Sequence, residues 1–177
     1  MNIYRVWQDS AYRVFEPKDN TRDNRQAYNL CGERIENWVD VPLVASKHTE
    51  QNKLPLPDIS FVNVSTLLLN AKSYDILHPY IKEFAQFFET STNCGQWYAV
   101  NVTNIVDCLD LDNSRIQRFP STGRVMRIDE YVFHDEAIKD NHLFLLPESR
   151  NSFPYATEYF KGLVEGNGLT GIKFISL

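Results

Sequence analysis

Residues 96–114 read QWYAVNVTNIVDCLDLDNS and contain the densest run of strand-forming side chains in the chain. Aromatic and β-branched residues dominate positions 97–106, and such residues pack well on a pleated surface. A run this apolar is typical of a strand that is covered on both faces. We therefore predict a central strand here and place the other elements around it.

The strand runs into an acidic corner made of Asp107, Asp110 and Asp112, which Asn113-Ser114 closes. Carboxylates at this spacing can gather a hard cation such as calcium through their oxygens. The calcium-loop pattern also needs a glycine at its sharp turn and a later glutamate, and both are missing. The pattern favours a turn built by Asp, Asn and Ser side chains, and the metal alternative stays open.

Upstream of the central strand, apolar residues between positions 67 and 84 follow a helical spacing. Asn70 is a suitable cap for the start of this helix. Pro79 predicts a bend or a restart near His78, because proline removes a backbone donor from the helix interior. A shorter strand is expected at Val41–Ala45.

Downstream, strong alternation over 124–134 and the apolar run 142–146 indicate two further strands. Ser152 is a candidate cap for a last helix with Pro154 in its first turn. Glycines at 166 and 168 are expected to end that helix. Residues 170–176 are then the final strand.

At the N-terminus, residues 3–8 and 11–15 alternate apolar and polar side chains, which predicts a β-hairpin. Helices and strands are segregated along the chain, which favours an α+β fold. We expect a mainly antiparallel sheet with two principal helices packed on it. The length fits a single domain over 1–177, with an N-terminal hairpin and irregular portion at 1–58 and a core α+β portion at 59–177.

The net charge of −5 argues against a nucleic-acid binder, which would show a basic patch or stripe. The chain has three cysteines, Cys31, Cys94 and Cys108, and they lie far apart in sequence. An odd number of widely spaced cysteines is expected of free thiols in a reducing compartment. The first residues lack the pattern of a signal peptide, and no apolar run approaches the ~20 residues of a membrane span. We therefore expect a cytoplasmic protein with no membrane partner.

The chain resembles a family of bacterial polymorphic-toxin immunity proteins along nearly its whole length. The segments that carry the resemblance are Tyr4-Arg-Val-Trp7, Leu56-Pro-Asp58, the helix from Leu69 with Phe87-Phe88, Asn101-Val-Thr-Asn-Ile-Val-Asp-Cys-Leu-Asp110 followed by Ser114, His142-Leu-Phe-Leu-Leu-Pro147, and Gly168-Leu-Thr-Gly-Ile-Lys-Phe174. Each segment alone is a strand or cap signature, and their conjunction is what carries specificity.

The resemblance implies a protein that binds a cognate toxin domain and blocks it inside the producing cell or its siblings. The family offers no catalytic motif to transfer, so we expect no enzyme activity and no cofactor. An acidic chain suits a basic toxin surface, with charge setting encounter and aromatic residues supplying affinity. The candidate contact residues are Asp107, Asp110, Asp112, Asp129, Glu130, Tyr131, Asp135 and Glu136.

Two other hypotheses remain open. A small hydrolase or transferase could use Asp107, Asp110 or His134, although His134-Asp135-Glu136 is more typical of a polar loop after a strand. The other hypothesis is self-association through edge strands. We therefore expect the protein to be either a monomer or a homodimer. The four histidines, His48, His78, His134 and His142, show no metal-ligand spacing.

Overall fold

The computed structural model describes residues 1–47 and 50–177. Within them the strands are β1 (Ile3–Gln8), β2 (Phe15–Pro17), β3 (Leu43–Ala45), β4 (Ile59–Phe61), β5 (Leu67–Asn70), β6 (Ala85–Thr92), β7 (Gly95–Val102), β8 (Arg115–Arg118), β9 (Val125–Glu130), β10 (Leu143–Phe144), β11 (Tyr155–Thr157) and β12 (Ile172–Ser176). The helices are α1 (Arg22–Ala27), α2 (Ala71–Ile81), α3 (Asp135–Ile138) and α4 (Glu158–Gly166). Short 3₁₀ turns occupy Gln51–Lys53 and Pro147–Ser149.

The predicted central strand is β7, which lies inside a six-stranded sheet of order β2-β3-β6-β7-β5-β4. It pairs antiparallel with β6 on one side and β5 on the other. Trp97 and Ala99 pack into one core cluster, whereas Val100 and Val102 pack into another. Both faces are therefore covered, as predicted.

The strand is shorter than the apolar run. After Val102 the backbone N–H groups of Thr103 and Asn104 both donate to the Phe84 carbonyl, at 2.9 and 3.1 Å. Ile105 then forms a parallel bridge with Leu145. The apolar residues past Val102 thus leave this sheet and pack beside a second, four-stranded sheet.

A four-stranded antiparallel sheet of order β10-β11-β1-β12 joins the two ends of the chain. The predicted N-terminal hairpin is wrong for this reason: β1 pairs with β11 and β12, and β2 pairs with β3 in the other sheet. Asp9 closes the turn between them, because its side chain accepts from the Ala11 N–H at 2.9 Å. The strand at residues 3–8 is confirmed, whereas of residues 11–15 only Phe15 lies in a strand, and the partners of β1 lie far away in sequence.

Both long helices begin later than their apolar patterns suggest. Asn70 caps α2 as predicted, accepting from the Ser73 N–H at 2.8 Å, but Leu67 and Leu69 belong to β5. Pro79 lies in the last turn of α2, which ends two residues later at Ile81. The Ser152 cap is wrong, since Tyr155–Thr157 forms β11 and α4 begins only at Glu158. Gly168, at φ +60°, follows the helix end as expected.

One large core cluster contains side chains from both larger sheets and from both long helices, including Val6, Ile59, Leu77, Val100 and Phe160. The α+β class and the mainly antiparallel pairing are confirmed, and β3–β6 is the parallel strand pair among the described residues. The expectation of a single sheet is wrong, because the strands form a six-stranded and a four-stranded sheet, and β8 and β9 form a separate two-stranded ribbon. The division at residue 58 stays a prediction.

Candidate functional site

The segments that carry the eight candidate contact residues converge on one core cluster. Cys108 and Leu109 come from the acidic corner, Ile128 from β9 and Ile138 from α3, and all four are buried together. The candidates are separated by up to 29 positions in sequence. The fold nevertheless packs their segments against one another around this cluster.

Asp110 organises the acidic corner as a turn. One carboxylate oxygen accepts from the backbone N–H groups of Asp112 and Asn113, both at 3.1 Å. The other accepts from the Asn113 side chain at 2.7 Å. These bonds from Asn113 and Asp112 lower the pKa of Asp110 below its ordinary value. The turn interpretation is confirmed, while Asp107 and Asp112 lie exposed beside it.

On the ribbon, the acidic candidates are already engaged by arginines. Asp129 lies 2.6 Å from Arg127 Nε and accepts from the Gln117 side chain at 2.9 Å. Glu130 pairs with Arg115 at 2.8 Å. The Glu130–Arg115 pair is exposed, so it contributes little to stability. The two pairs position the guanidinium groups of Arg115 and Arg127 on the ribbon.

The Tyr131 hydroxyl belongs to a chain of polar side chains that links distant parts of the fold. Its hydroxyl accepts from Arg5 Nη2 at 2.6 Å and lies 3.4 Å from the Tyr155 hydroxyl. The Tyr155 hydroxyl in turn lies 3.2 Å from Ser149 Oγ. Burial raises the pKa of Tyr155, so this group stays neutral. The chain ties β1, the end of β9 and the turn at Pro147–Ser149 together.

At α3, Asp135 lies 2.7 Å from the N-terminal ammonium of Met1, and Glu136 is exposed. His134 is exposed as well and makes no cap hydrogen bond to the helix it precedes. His142 differs, because it stacks on Tyr159 at 4.1 Å and burial lowers its pKa. His48 lies outside the described residues.

An open cleft of about 890 Å³ lies between the ribbon and the 147–152 loop. Five arginines line it, and Glu148 is the one carboxylate among its lining residues. The arginines are Arg5, Arg118, Arg124, Arg127 and Arg150. Sequence reasoning missed this cleft because it searched for acidic clusters in an acidic chain. The available signal was the recurrence of arginine at 115, 118, 124 and 127.

A family model described as an immunity protein family, Imm11, matches residues 7–177. The chain belongs to the Imm11 immunity protein family. The match covers nearly the whole chain, so the resemblance noted in the sequence is confirmed. Among curated proteins, none matches this Imm11 chain significantly.

Within residues 1–47 and 50–177, no group of three or more His, Cys, Asp or Glu side chains is arranged to hold a metal ion. The helices of this same part of the Imm11 chain include none that is long and apolar enough to cross a membrane. We call the surface formed by β8, β9 and the 147–152 loop the ribbon end; charged side chains of both signs surround the arginine cleft there.

Proposed function

We propose that this Imm11 protein binds a cognate secreted toxin domain and neutralises it in the cytoplasm of the producing cell and its siblings. The family match over residues 7–177 carries this proposal. Binding without catalysis is the mechanism that we propose for it. The proposal needs one further element, which is a surface that the toxin covers.

The ribbon end supports that role by its composition. Interfaces are enriched in arginine, methionine and aromatic residues, and this end exposes Phe119 and Met126, which are 46% and 50% accessible. Leu111 and Val132, in the segments that flank the ribbon in sequence, are exposed as well. A surface that combines arginines with exposed apolar side chains suits protein recognition.

The acidic candidates divide into two groups under this proposal. Asp110, Asp129, Glu130 and Asp135 have partners within the chain, as does Tyr131. Asp107, Asp112 and Glu136 are exposed and form no ion pair within the described part of the chain. These three are the carboxylates we assign to cationic groups of a basic toxin surface.

Catalysis at Asp107, Asp110 or His134 has no specific support. Both carboxylate oxygens of Asp110 accept hydrogen bonds in the turn, and its lowered pKa makes it a weak base. The exposed positions of Asp107 and His134 provide no enclosed site for a substrate. The surface therefore favours binding over catalysis.

The test is co-expression of this chain with the toxin domain encoded beside it. We expect growth to be rescued and the two proteins to co-purify. Replacing Asp107, Asp112 and Glu136 by Ala should weaken the complex, whereas replacing the exposed Asp19, Glu33 and Glu36 should not. Equal killing by the toxin with and without this chain would contradict the proposed function.

A further inference from the structure

The arginine cleft has a charge opposite to that of the whole chain. The chain carries −5, yet five guanidinium groups and one carboxylate line this cleft. Half of the ten arginines in the sequence are gathered here, and no lysine is among the lining residues. Arginine is the residue whose planar fork matches a carboxylate with two parallel hydrogen bonds.

Most of these guanidinium groups are free to bind a partner. Arg127 is paired with Asp129, but no carboxylate of residues 1–47 or 50–177 lies within ion-pair distance of Arg118, Arg124 or Arg150. Arg118 donates to the Gly123 carbonyl at 3.1 Å. Arg124 and Arg150 are exposed at opposite walls of the cleft, on the ribbon and on the 147–152 loop.

The floor of the cleft holds unsatisfied polar atoms. Arg5 Nε and Glu148 Oε2 are buried without a hydrogen-bond partner, and both residues line the cleft. Buried polar atoms are nearly always bonded, so this unpaired donor and acceptor can form further hydrogen bonds when their side chains turn toward the cleft. The hydrogen bond that Arg5 donates to the Tyr131 hydroxyl, and the contact of that hydroxyl with the Tyr155 hydroxyl, keep these residues in position.

We propose that the cleft docks an acidic segment of the cognate toxin domain, whose carboxylates pair with Arg124, Arg150 and Arg118. This inference rests on the proposed function and adds the chemistry of the partner segment. Met126 and Val125 line the same cleft and would contact apolar side chains between those carboxylates. Arginines on two walls would hold the segment from both sides.

The observations favour a protein segment over a nucleic acid. Glu148 lies in the cleft, where it would repel phosphates, and the remainder of the acidic chain would oppose a long polyanion. A protein segment can present a donor to Glu148 as well as carboxylates to the arginines. Nucleic-acid binding is therefore an outcome that the experiment must separate.

The experiment compares two double variants of equal charge. Arg124→Glu with Arg150→Glu reverses the cleft, and Arg22→Glu with Arg34→Glu makes the same change at exposed positions that do not line it. The probe is the toxin domain encoded beside this chain. We expect the cleft variant to bind it at least about tenfold more weakly, mainly through slower association, and the control variant to bind as the unchanged protein does.

A photo-crosslinking residue at Met126 adds a direct readout. The cross-linked toxin peptide should be rich in Asp and Glu, and reversing those residues to Lys should restore binding to the cleft variant. A peptide without carboxylates would overturn the inference. The thermal unfolding midpoints of both variants should match that of the unchanged protein, because the substituted side chains are exposed.

Failure of the inference differs from failure of the proposed function. If the unchanged chain protects cells but both double variants bind the toxin equally well, the cleft assignment is wrong and the proposed function stands. If the unchanged chain neither protects nor binds, both fall. If it binds a short labelled DNA or RNA strand and the cleft reversal removes that binding, the cleft serves nucleic acid and the acidic-segment inference is overturned.

Discussion

Thr170 donates both its backbone N–H and its hydroxyl to one carboxylate oxygen of Asp58, at 3.0 and 3.1 Å. The residues are 112 positions apart. The other oxygen of Asp58 accepts from the Asn70 side chain at 3.1 Å, and Asn70 caps α2. One half-buried carboxylate thus connects the strand entering from the 50–58 loop, the start of α2 and the start of β12.

Removing this carboxylate should destabilise the whole fold. We expect Asp58→Ala to lower the free energy of unfolding by about 2–3 kcal/mol, the range for hydrogen bonds to a charged group that leave their donors unpaired. Urea denaturation monitored by tryptophan fluorescence measures this change. Asp112→Ala is the control, because Asp112 is exposed and its side chain has no bond among those of the described residues. Equal midpoints for the two variants would contradict the prediction.

The same carboxylate predicts a pH dependence. Burial alone would raise the pKa of Asp58, but bonds from Asn70, Thr170 and Lys72 outweigh it and hold the pKa below its ordinary 3.8. The ionised group therefore stabilises the fold above about pH 4, and this contribution is lost as the pH falls through the folded-state pKa.

Asp58→Asn isolates that contribution, since the other carboxylates titrate in both proteins. The stability difference between the unchanged protein and Asp58→Asn should be constant near neutral pH and should narrow below about pH 4. Urea midpoints across a pH series provide the measurement. A difference that stays constant into acid would show that Asp58 does not titrate with folding.

Gly171 should tolerate no side chain. Its φ is +107°, and a β-carbon built on it would lie 2.0 Å from the Ile59 carbonyl oxygen. Gly95 is a matched control, because its φ is +102° and nothing lies within 4 Å of the same added atom. We expect Gly95→Ala to cost about 1 kcal/mol through backbone strain and Gly171→Ala about 2–4 kcal/mol through strain and overlap. Similar urea midpoints for both would contradict the steric argument.

Local pattern was enough to predict those parts of the fold whose partners are near in sequence. Asn70 as a cap and Gly168 beyond α4 follow from side-chain and backbone preferences that act within a few residues. The predicted hairpin of residues 3–8 and 11–15 is wrong for two reasons: only Phe15 of the second segment lies in a strand, and alternation does not say which strand pairs with β1. β1 finds its partners at Tyr155–Thr157 and Ile172–Ser176.

The site was harder to predict than the fold for a related reason. The sequence places acidic candidates such as Asp110 and Asp129 in separate short segments, and the side chains that pair with them depend on the folded structure. The arginine cleft unites β1, the ribbon and the 147–152 loop, which are remote in sequence. The net charge of the chain does not reveal a locally positive cleft, because it does not show where the charged side chains lie in the fold.

The ribbon of β8 and β9 should open more easily than the central sheet. Two strands alone are marginally stable, and here the buried Ile128, with Ile116, packs the ribbon on the second core cluster. Ile128→Ala should speed hydrogen exchange over residues 115–130 and leave β6–β7 unchanged, because the lost contacts are local. Met126→Ala is the control, since Met126 is 50% accessible. Identical hydrogen-exchange rates over residues 115–130 in both variants would contradict the prediction that Ile128 anchors the ribbon.

Cys108 should be the unreactive thiol of the three. It is fully buried, and burial, with the nearby charges of Glu148 and Asp107, raises its pKa to about 12. Cys31 and Cys94 are only partly buried. Because the thiolate is the reactive form, we expect a thiol-specific chromogenic reagent at about pH 8 to modify two cysteines in the folded protein and the third only after urea is added. Cys108→Ala should therefore abolish the reaction that appears after urea is added and keep the reaction of the two thiols in the folded protein. Three thiols reacting together in the folded state would show that the core around Cys108 opens to solvent.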